Sequence, residues 1–443
     1  MAEKRSTFQI IIFGVFVFFI IIAVFVFAGL SGDDGGRDIG VVKMWGSFDQ
    51  DLMDAYLRRL SEQDSQAGNI DYEEIPEELF QSKLVEALAN GNGPDLFILD
   101  QSNLLRHWEK VQPFAYESSM DRRQFKNAFI DEAEMFLSEA GIRALPFSVD
   151  PLVLYWNRDM FAEAGFANPP AFWDELFLLA ERITERDKAN NIKRATIAFG
   201  EYDNVNHAKD IVSTLIMQAG GEVVGRYDDE VGALYAGLSP GGINREVQPA
   251  QTALRFYSEF ANPVKSVYTW NRSLPNSLDA FAQGKLAMYV GYASEVRTIQ
   301  AKNAHLNFDV TKLPQIRSGE QKRTLTFGRL YALAVPKAAN NPYGGSRMAL
   351  LLSDTAPSDL FSKSIGTPSP RRKLLDAKAN PTDDPLEVIF RESALLSRAW
   401  LDPYSEETDK IFRRMIGDVT SGSLRLSDTI QRANQELRVL INE

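Results

Sequence analysis

Short apolar strands that alternate with helical segments place the strongest limit on how this chain folds. One strand candidate, Ile39 to Trp45, is followed directly by the polar turn Gly46-Ser47-Phe48-Asp49. Another, Pro94 to Leu99, leads into Asp100-Gln101-Ser102-Asn103. Such an alternation is typical of α/β proteins, and in open α/β sheets ligands bind beyond the carboxyl ends of the strands. The sequence therefore predicts an α/β fold whose binding site is built from strand-end loops.

The stretch Phe281 to Tyr292, FAQGKLAMYVGY, contains one complete unit of this alternation. It begins as the end of a helix, where Gly284 fits because a residue without Cβ adopts the left-handed conformation easily. A short apolar strand, Leu286 to Val290, follows and stops at Gly291 and Tyr292. The backbone and the aromatic ring at this strand end are suited to face a ligand.

Three further apolar segments are predicted to be strands. Ile142 to Val149 and Leu152 to Trp156 are separated by Asp150-Pro151, and Thr324 to Val335 contains a break at Gly328-Arg329. These segments continue the alternation of strands and helices along the chain.

The Phe281 to Tyr292 stretch resembles the "F..GKaAM...G.W" segment of family 1 extracellular solute-binding proteins, the ligand receptors of ABC importers. Tyr292 stands where many members have Trp. The longest match covers Pro146 to Leu176, where NRDMFAEAG and PPAFWDEL are similar to "YNkdlf.kaG...pPkTWdEl". The resemblance extends over about residues 39–443.

Members of this family are two-lobed α/β proteins with the periplasmic-binding-protein type 2 fold, and their lobes close over the ligand about a hinge. The resemblance implies that the chain is divided into lobe one at residues 39–149 and 331–366 and lobe two at residues 150–330 and 367–443. The hinge is then expected near Val149, Leu330 and Ile365, with the ligand in the cleft between the lobes.

The residues predicted to contact the ligand lie at strand ends, at helix starts and in the crossovers between lobes. The resemblance implies Asp49, Ser102, Asn103, Asp150, His207, Tyr292, Arg329 and Tyr331. Position at a strand end adds Ser47, Asp100, Trp270 and Gly291. A late aromatic contact is expected from the segment Trp400 to Tyr404.

The residue types at these positions favour a saccharide ligand. Aromatic faces bind the C–H faces of sugars, while carboxylates and amides bind the hydroxyl groups. Another polar solute is an alternative, since Asp49, Asp100 and Asp150 suit a cation such as a polyamine. Arg329 suits an anion such as glycerol phosphate. A different alternative is a membrane-anchored carbohydrate-active enzyme in which Asp150 and Glu201 form a pair of glycosidase carboxylates.

The segment Phe8 to Leu30 is predicted to be a transmembrane helix that anchors the protein. It has 23 residues and no charged side chain, and about 20 apolar residues span a bilayer as a helix. Because basic residues precede the segment, the positive-inside rule places residues 1–7 in the cytoplasm and the chain beyond the helix outside the cell. Residues 31–38 are then a short flexible tether. A cleaved signal peptide is the alternative.

The composition argues against several other classes of function. A formal net charge of −12 leaves no basic surface for nucleic acid. The absence of Cys excludes disulfides, thiolate metal sites and a lipid-modified Cys anchor. The three His residues have no metal-site spacing, so neither a metal nor a cofactor is predicted.

The sequence as a whole predicts a monomeric, non-enzymatic receptor attached to the cell membrane. It captures a sugar or oligosaccharide outside the cell and delivers it to the permease subunits of an ABC transporter. A sensory or structural domain without transport function is a third alternative.

Overall fold

The computed structural model describes residues 39–227, 234–239, 248–317, 323–376 and 384–442. The predicted transmembrane helix at residues 8–30, with the flanking residues 1–7 and the tether at 31–38, lies outside the described residues. Within the described part of the chain, none of the helices combines the length and the apolar character needed to cross a bilayer. The fold below is that of the described residues from Val42 onwards.

The described residues form short strands and helices that alternate along most of the chain. The strands are β1 (Val42–Gly46), β2 (Ile70–Glu74), β3 (Leu96–Asp100), β4 (Leu137–Ser138), β5 (Gly141–Ile142), β6 (Leu145–Asn157), β7 (Glu185–Arg186), β8 (Ile192–Ile197), β9 (Val224–Arg226), β10 (Leu234–Ala236), β11 (Leu286–Tyr292), β12 (Phe308–Lys312), β13 (Thr326–Ala334) and β14 (Ser397–Arg398). The α-helices are α1 (Gln50–Ser61), α2 (Glu77–Ala89), α3 (Leu104–His107), α4 (Arg122–Ala128), α5 (Arg158–Glu163), α6 (Leu176–Ile183), α7 (Ala208–Gln218), α8 (Pro249–Glu259), α9 (Ser277–Ala282), α10 (Val296–Lys302), α11 (Pro342–Leu352), α12 (Thr355–Ile365), α13 (Arg372–Leu375), α14 (Pro385–Leu395), α15 (Ser405–Ser421) and α16 (Leu426–Asn442).

The main sheet has the strand order β2-β1-β3-β13-β6-β11-β8-β7, with β12 also paired to β6 and β14 to β13. We call β1, β2 and β3 the first strand group, in which β1 pairs in parallel with both neighbours. We call β7, β8, β11 and β12 the second strand group, in which β11 pairs in parallel with β8. Because parallel neighbours end at the same edge, the loops that follow β1 and β3 lie together.

Strand β6 connects the two parts of the sheet because it changes partner along its length. Residues 145–151 pair with β13, and residues 152–157 pair with β11 and β12. The two strands that were predicted on either side of Asp150-Pro151 are therefore one continuous strand, and all of its residues are buried. The expected break at Gly328-Arg329 is also wrong, since β13 is continuous and Gly328 pairs with Pro151.

The core of the second strand group is rich in aromatic side chains. Helix α8 begins with Pro249 at its first position, where the missing N–H costs nothing. Its buried face includes Tyr257, which packs against Phe199 at a ring-centroid distance of 5.0 Å. Trp173 is buried, and its indole N–H donates a hydrogen bond of 2.7 Å to Gln218.

Candidate binding cleft

A cleft of about 740 Å³ is lined by residues attached to both strand groups. The wall that follows β1 and β3 and includes the start of α2 has these polar side chains: Ser47, Glu77, Glu78, Gln81, Ser82, Asp100, Gln101, Ser102, Asn103 and Arg106. The opposite wall has Tyr202, His207, Lys209, Asp210, Tyr292, Trp400, Asp402, Ser405, Glu406 and Asp409. Strand β13, which links the groups, supplies Phe327, Arg329 and Tyr331.

The first wall is organised by the carboxylate of Asp100 at the end of β3. It accepts hydrogen bonds from the backbone N–H of Ser102 at 2.8 Å and from the Ser102 hydroxyl at 2.7 Å. Its other oxygen accepts a hydrogen bond of 2.6 Å from Nε of Arg329, whose guanidinium also contacts Glu77. Burial opposes ionisation, but Arg329 and the two hydrogen bonds from Ser102 together lower the pKa of Asp100 below its usual value. Asp100 therefore stays charged and fixes Arg329 in the cleft.

Lys209 is held between two carboxylates of the opposite wall. Its Nζ lies 3.1 Å from Oδ2 of Asp402 and 2.9 Å from Oδ1 of Asp409. Burial opposes the positive charge, but the two carboxylates raise the pKa of Lys209 above its usual value. The same Nζ lies 5.8 Å from the ring centroid of Trp400. A charged cluster and an aromatic ring therefore meet on this wall.

Tyr292 joins a partly buried hydrogen-bond network on the wall of the cleft. Its hydroxyl donates to Oδ2 of Asp210 at 2.8 Å, and its backbone N–H donates to Oε2 of Glu295, also at 2.8 Å. The His207 ring contacts the Tyr292 ring edge-on at a centroid distance of 4.6 Å, and its Nε2 lies 3.1 Å from Oε2 of Glu295. Burial opposes a charge on His207, but Glu295 raises the pKa of the imidazole above its usual value. The network fixes the orientation of the Tyr292 ring.

Carboxylates outnumber basic side chains around the cleft. Arg106, Lys209 and Arg329 line it, and each is paired with a carboxylate. The carboxylates on the lining are those of Glu77, Glu78, Asp100, Asp210, Asp402, Glu406 and Asp409. The cleft therefore offers many hydrogen-bond acceptors, and every lysine or arginine among the described residues of its lining already has an anionic partner.

Eight of the predicted contact residues line the cleft: Ser47, Asp100, Ser102, Asn103, His207, Tyr292, Arg329 and Tyr331. Trp400 of the predicted late aromatic segment lines the cleft as well. Tyr404 of that segment lies beneath the guanidinium of Arg106, whose Cζ is 4.9 Å from the centroid of the Tyr404 ring. The strand-end rule and the family resemblance thus locate part of both walls.

Asp49 and Trp270 lie elsewhere. The Asp49 carboxylate caps α1 by accepting a hydrogen bond of 3.0 Å from the backbone N–H of Leu52. Trp270 is only 1% exposed, and its indole N–H donates to Asn204 at 3.2 Å. Its ring packs in the core of the second strand group, because a large aromatic surface with a satisfied N–H is stable there.

Asp150 and Gly291 are also outside the cleft lining. Asp150 is 4% exposed, and its carboxylate accepts a hydrogen bond of 3.0 Å from the backbone N–H of Ser294. Gly291 of β11 pairs with Val153 of β6, and a Cβ on Gly291 would lie 2.4 Å from an oxygen of Glu295. Glu201, the other member of the hypothetical glycosidase pair, does not line the cleft either.

Several lining residues were not identified from the sequence. Arg106, Asp402 and Asp409 reach the cleft from helices or from the segment before α15, and no strand end precedes them directly. Glu77 and Glu78 lie in the first turn of α2. Acidic residues are common at this position because they stabilise the helix dipole, whether or not a ligand is bound nearby. The sequence carried no signal that separated these acidic residues from ordinary helix-start residues.

Residues 60–352 match the family model described as bacterial extracellular solute-binding protein. The chain belongs to this family. The match confirms the resemblance noted in the sequence and covers both walls of the cleft except Ser47 and the late segment from Trp400 onwards. Members of this family bind solutes, which fits a protein without enzymatic activity.

Among curated relatives, this solute-binding protein is 28% identical over 131 residues to a Brucella abortus (strain 2308) protein whose name describes it only as a candidate binding protein. The match covers 29% of this chain and 31% of the relative. The chain thus aligns with about a third of the length of the curated relatives it matches.

Solved structures of similar fold cover nearly the whole solute-binding protein. A cyclic α-maltosyl-1,6-maltose binding protein from Arthrobacter globiformis matches with a TM-score of 0.72 and 17% identity, over 90% of this chain and 98% of that one. The sugar-binding protein MalE from Xanthomonas citri matches with a TM-score of 0.70 and 18% identity, over 91% and 97%. An ABC transporter solute-binding protein from Thermotoga lettingae, bound to α-D-tagatose, matches with a TM-score of 0.65 and 20% identity, over 91% of this chain and 100% of that one. These neighbours confirm the expected mixed α/β, two-lobed fold.

Proposed function

We propose that the protein is the extracytoplasmic receptor of an ABC importer, and that it binds a sugar or oligosaccharide in the cleft. The observation that carries this proposal is the lining of the cleft, in which the rings of Tyr202, Tyr292, Tyr331 and Trp400 stand among fixed carboxylates. Aromatic faces suit the C–H faces of a sugar ring, and carboxylates accept hydrogen bonds from its hydroxyls. Proteins of similar fold include one named for cyclic α-maltosyl-1,6-maltose and one that is bound to α-D-tagatose.

The charge of the cleft distinguishes between the other polar solutes that are candidate ligands. An anion such as glycerol phosphate needs a basic side chain to bind it, but Arg106, Lys209 and Arg329 are already paired with carboxylates. The excess of carboxylates favours a polyamine as the second candidate, because a cation would relieve their mutual repulsion. A neutral saccharide satisfies the acceptors without disturbing any ion pair.

Anchoring and transport are parts of the same proposal. The apolar segment at residues 8–30 is long enough to cross a bilayer, and the basic residues before it favour a cytoplasmic N-terminus. The binding domain then stands outside the cell, attached by residues 31–38. Closure of the two lobes over the ligand, about β6 and β13, produces the shape that a permease recognises.

The test is ligand-dependent thermal unfolding of the full-length chain in a zwitterionic detergent, because a maltoside detergent presents sugars of its own. The panel contains mono- and oligosaccharides, polyamines and glycerol phosphate. A ligand present at about 100 times its dissociation constant stabilises the folded state by roughly 2.7 kcal/mol. Recovery of the bound compound unchanged separates a receptor from an enzyme. Stabilisation by polyamines alone, or hydrolysis of a bound glycoside, would refute the sugar-receptor assignment.

A pair of asparagine variants locates the site. Asn103 lines the cleft, whereas Asn340 is exposed and donates a hydrogen bond to the Gly91 carbonyl outside it. We expect Asn103→Ala to weaken saccharide binding about threefold to tenfold, the effect of one lost hydrogen bond, and Asn340→Ala to leave it unchanged. Equal affinities in both variants would place the ligand elsewhere.

A further inference from the structure

A second cavity of about 540 Å³ is lined by residues from distant parts of the sequence. The residues that matter here are Arg122, Glu132, Arg226, Arg323 and Arg398, and we call their cavity the basic cavity. Trp400 also lines it and is shared with the binding cleft. None of the five defining residues lines the cleft, so the basic cavity is a different place in the molecule.

Glu132 is a buried carboxyl group without a hydrogen-bond partner. It is 4% exposed, and within the described part of the chain neither of its side-chain oxygens is paired. It packs against β13 so closely that a Cβ on Gly328 would lie 2.4 Å from its Oε2. Burial raises the pKa of Glu132 well above its usual value; Arg398 opposes this and Asp100 adds to it. Burial therefore favours the protonated carboxyl form, and the O–H of that form has no acceptor among the described residues.

Two guanidinium groups of the basic cavity, those of Arg122 and Arg398, are only partly engaged. Arg122 donates a hydrogen bond of 3.0 Å from Nη2 to the carbonyl of Ser138. Nη1 of Arg398 donates a hydrogen bond of 2.7 Å to the carbonyl of Ser397, and Nη2 of Arg398 contacts Asp131. A guanidinium carries five N–H donors, so both side chains have donors beyond these contacts. An unpaired buried donor beside such groups indicates that an acceptor belongs in the cavity.

The charge of the basic cavity is opposite to that of the cleft. Its lining has five basic side chains and, besides Glu132, three carboxylates, although the whole chain carries a net charge of −12. A cation would meet an excess of arginine and lysine there. A neutral sugar would leave that positive charge without compensation.

We propose that the basic cavity binds a small oxyanion, a carboxylate or a phosphate, which accepts hydrogen bonds from Arg122, from Arg398 and from the Glu132 carboxyl group. An oxyanion offers two or more acceptor oxygens in one plane or around one centre, and a guanidinium matches this geometry with paired N–H groups. The site does not depend on the identity of the ligand in the cleft.

The experiment is a titration of the full-length protein with sodium phosphate and, separately, sodium succinate, at constant pH and ionic strength set with sodium chloride. Binding is followed by calorimetry and by thermal unfolding. We expect saturable binding of at least one of the two anions, and the pair tells phosphate from carboxylate. Stabilisation that does not saturate, or binding of neither anion, would overturn the proposal.

Neighbouring arginines supply a matched control, because Arg122 lines the basic cavity and Arg123 is exposed outside it. Arg122→Met is expected to raise the dissociation constant of the anion at least tenfold, and Arg123→Met to leave it unchanged. Glu132→Gln keeps a neutral donor and is expected to keep binding within about threefold. Loss of binding in Glu132→Gln, or equal affinities in both arginine variants, would show that the oxyanion assignment is wrong.

Discussion

The buried carboxyl group of Asp150 provides a quantitative test of the electrostatics in the crossover strand β6. Burial raises the pKa of Asp150 from the usual 3.8 to about 6, against hydrogen bonds from Ser294. In the unfolded chain the group loses its proton near pH 3.8, whereas the native protein holds it up to about pH 6. Stability from this group is therefore complete below pH 3.8 and is lost as the pH rises through 6. The loss amounts to about 3 kcal/mol.

The substitution Asp150→Asn removes the charge and keeps an oxygen to accept the hydrogen bond from Ser294. We expect it to stabilise the protein by about 3 kcal/mol at pH 7.5, and by almost nothing below pH 3.8. Urea unfolding monitored by tryptophan fluorescence, at several values between pH 3.5 and 8, measures the difference. Asp71→Asn, at an exposed position of β2, serves as the control. A difference that does not change with pH, or that grows on acidification, would refute the reasoning.

Three further substitutions test other parts of the structure. Burial lowers the pKa of His107 to about 4 from 6.5, so native stability falls by about 3 kcal/mol as the pH drops through this window, and His107→Phe should abolish that fall in urea unfolding. Tyr292→Phe removes the hydroxyl that donates to the half-buried Asp210, and we expect thermal unfolding to show a loss of about 1–3 kcal/mol in stability. Gly328→Ala places a Cβ 2.5 Å from Cβ of Ser397. We expect this overpacking to destabilise the protein by about 1–3 kcal/mol and so to lower the midpoint of urea unfolding. Unchanged stability in either of the last two variants would show that the neighbouring groups relax freely.

The sequence predicted the strand-end loop of the first wall well, because its signal is local. The apolar run before Asp100 is a buried strand, and the polar residues after it turn into the cleft. The same reasoning failed to place Trp270 correctly. Its ring is fixed by the core and by Asn204, 66 positions earlier in the chain, and such a contact is invisible in the local pattern.

Other differences arise from tertiary pairing. The Asp150-Pro151 pair is typical of a turn, yet β6 continues through it because β13 pairs with one part of the strand and β11 with the other. The acidic wall around Asp402 and Asp409 forms only when the start of α15 packs against Lys209 of α7. Composition predicts many carboxylates, but only the fold places these carboxylates in one cleft.

The position of β13 between β3 and β6 has a consequence for the synthesis of the protein. Arg329 on β13 and its partner Asp100 at the end of β3 are separated by 229 positions. The ribosome therefore adds the strands of the second group before β3 and the first part of β6 receive the strand that joins them. Until then β3 has an unpaired edge, and long-range strand pairing of this kind is slow and prone to aggregation. The edge of β3 therefore stays open until β13, which ends at Ala334, is available to pair with it.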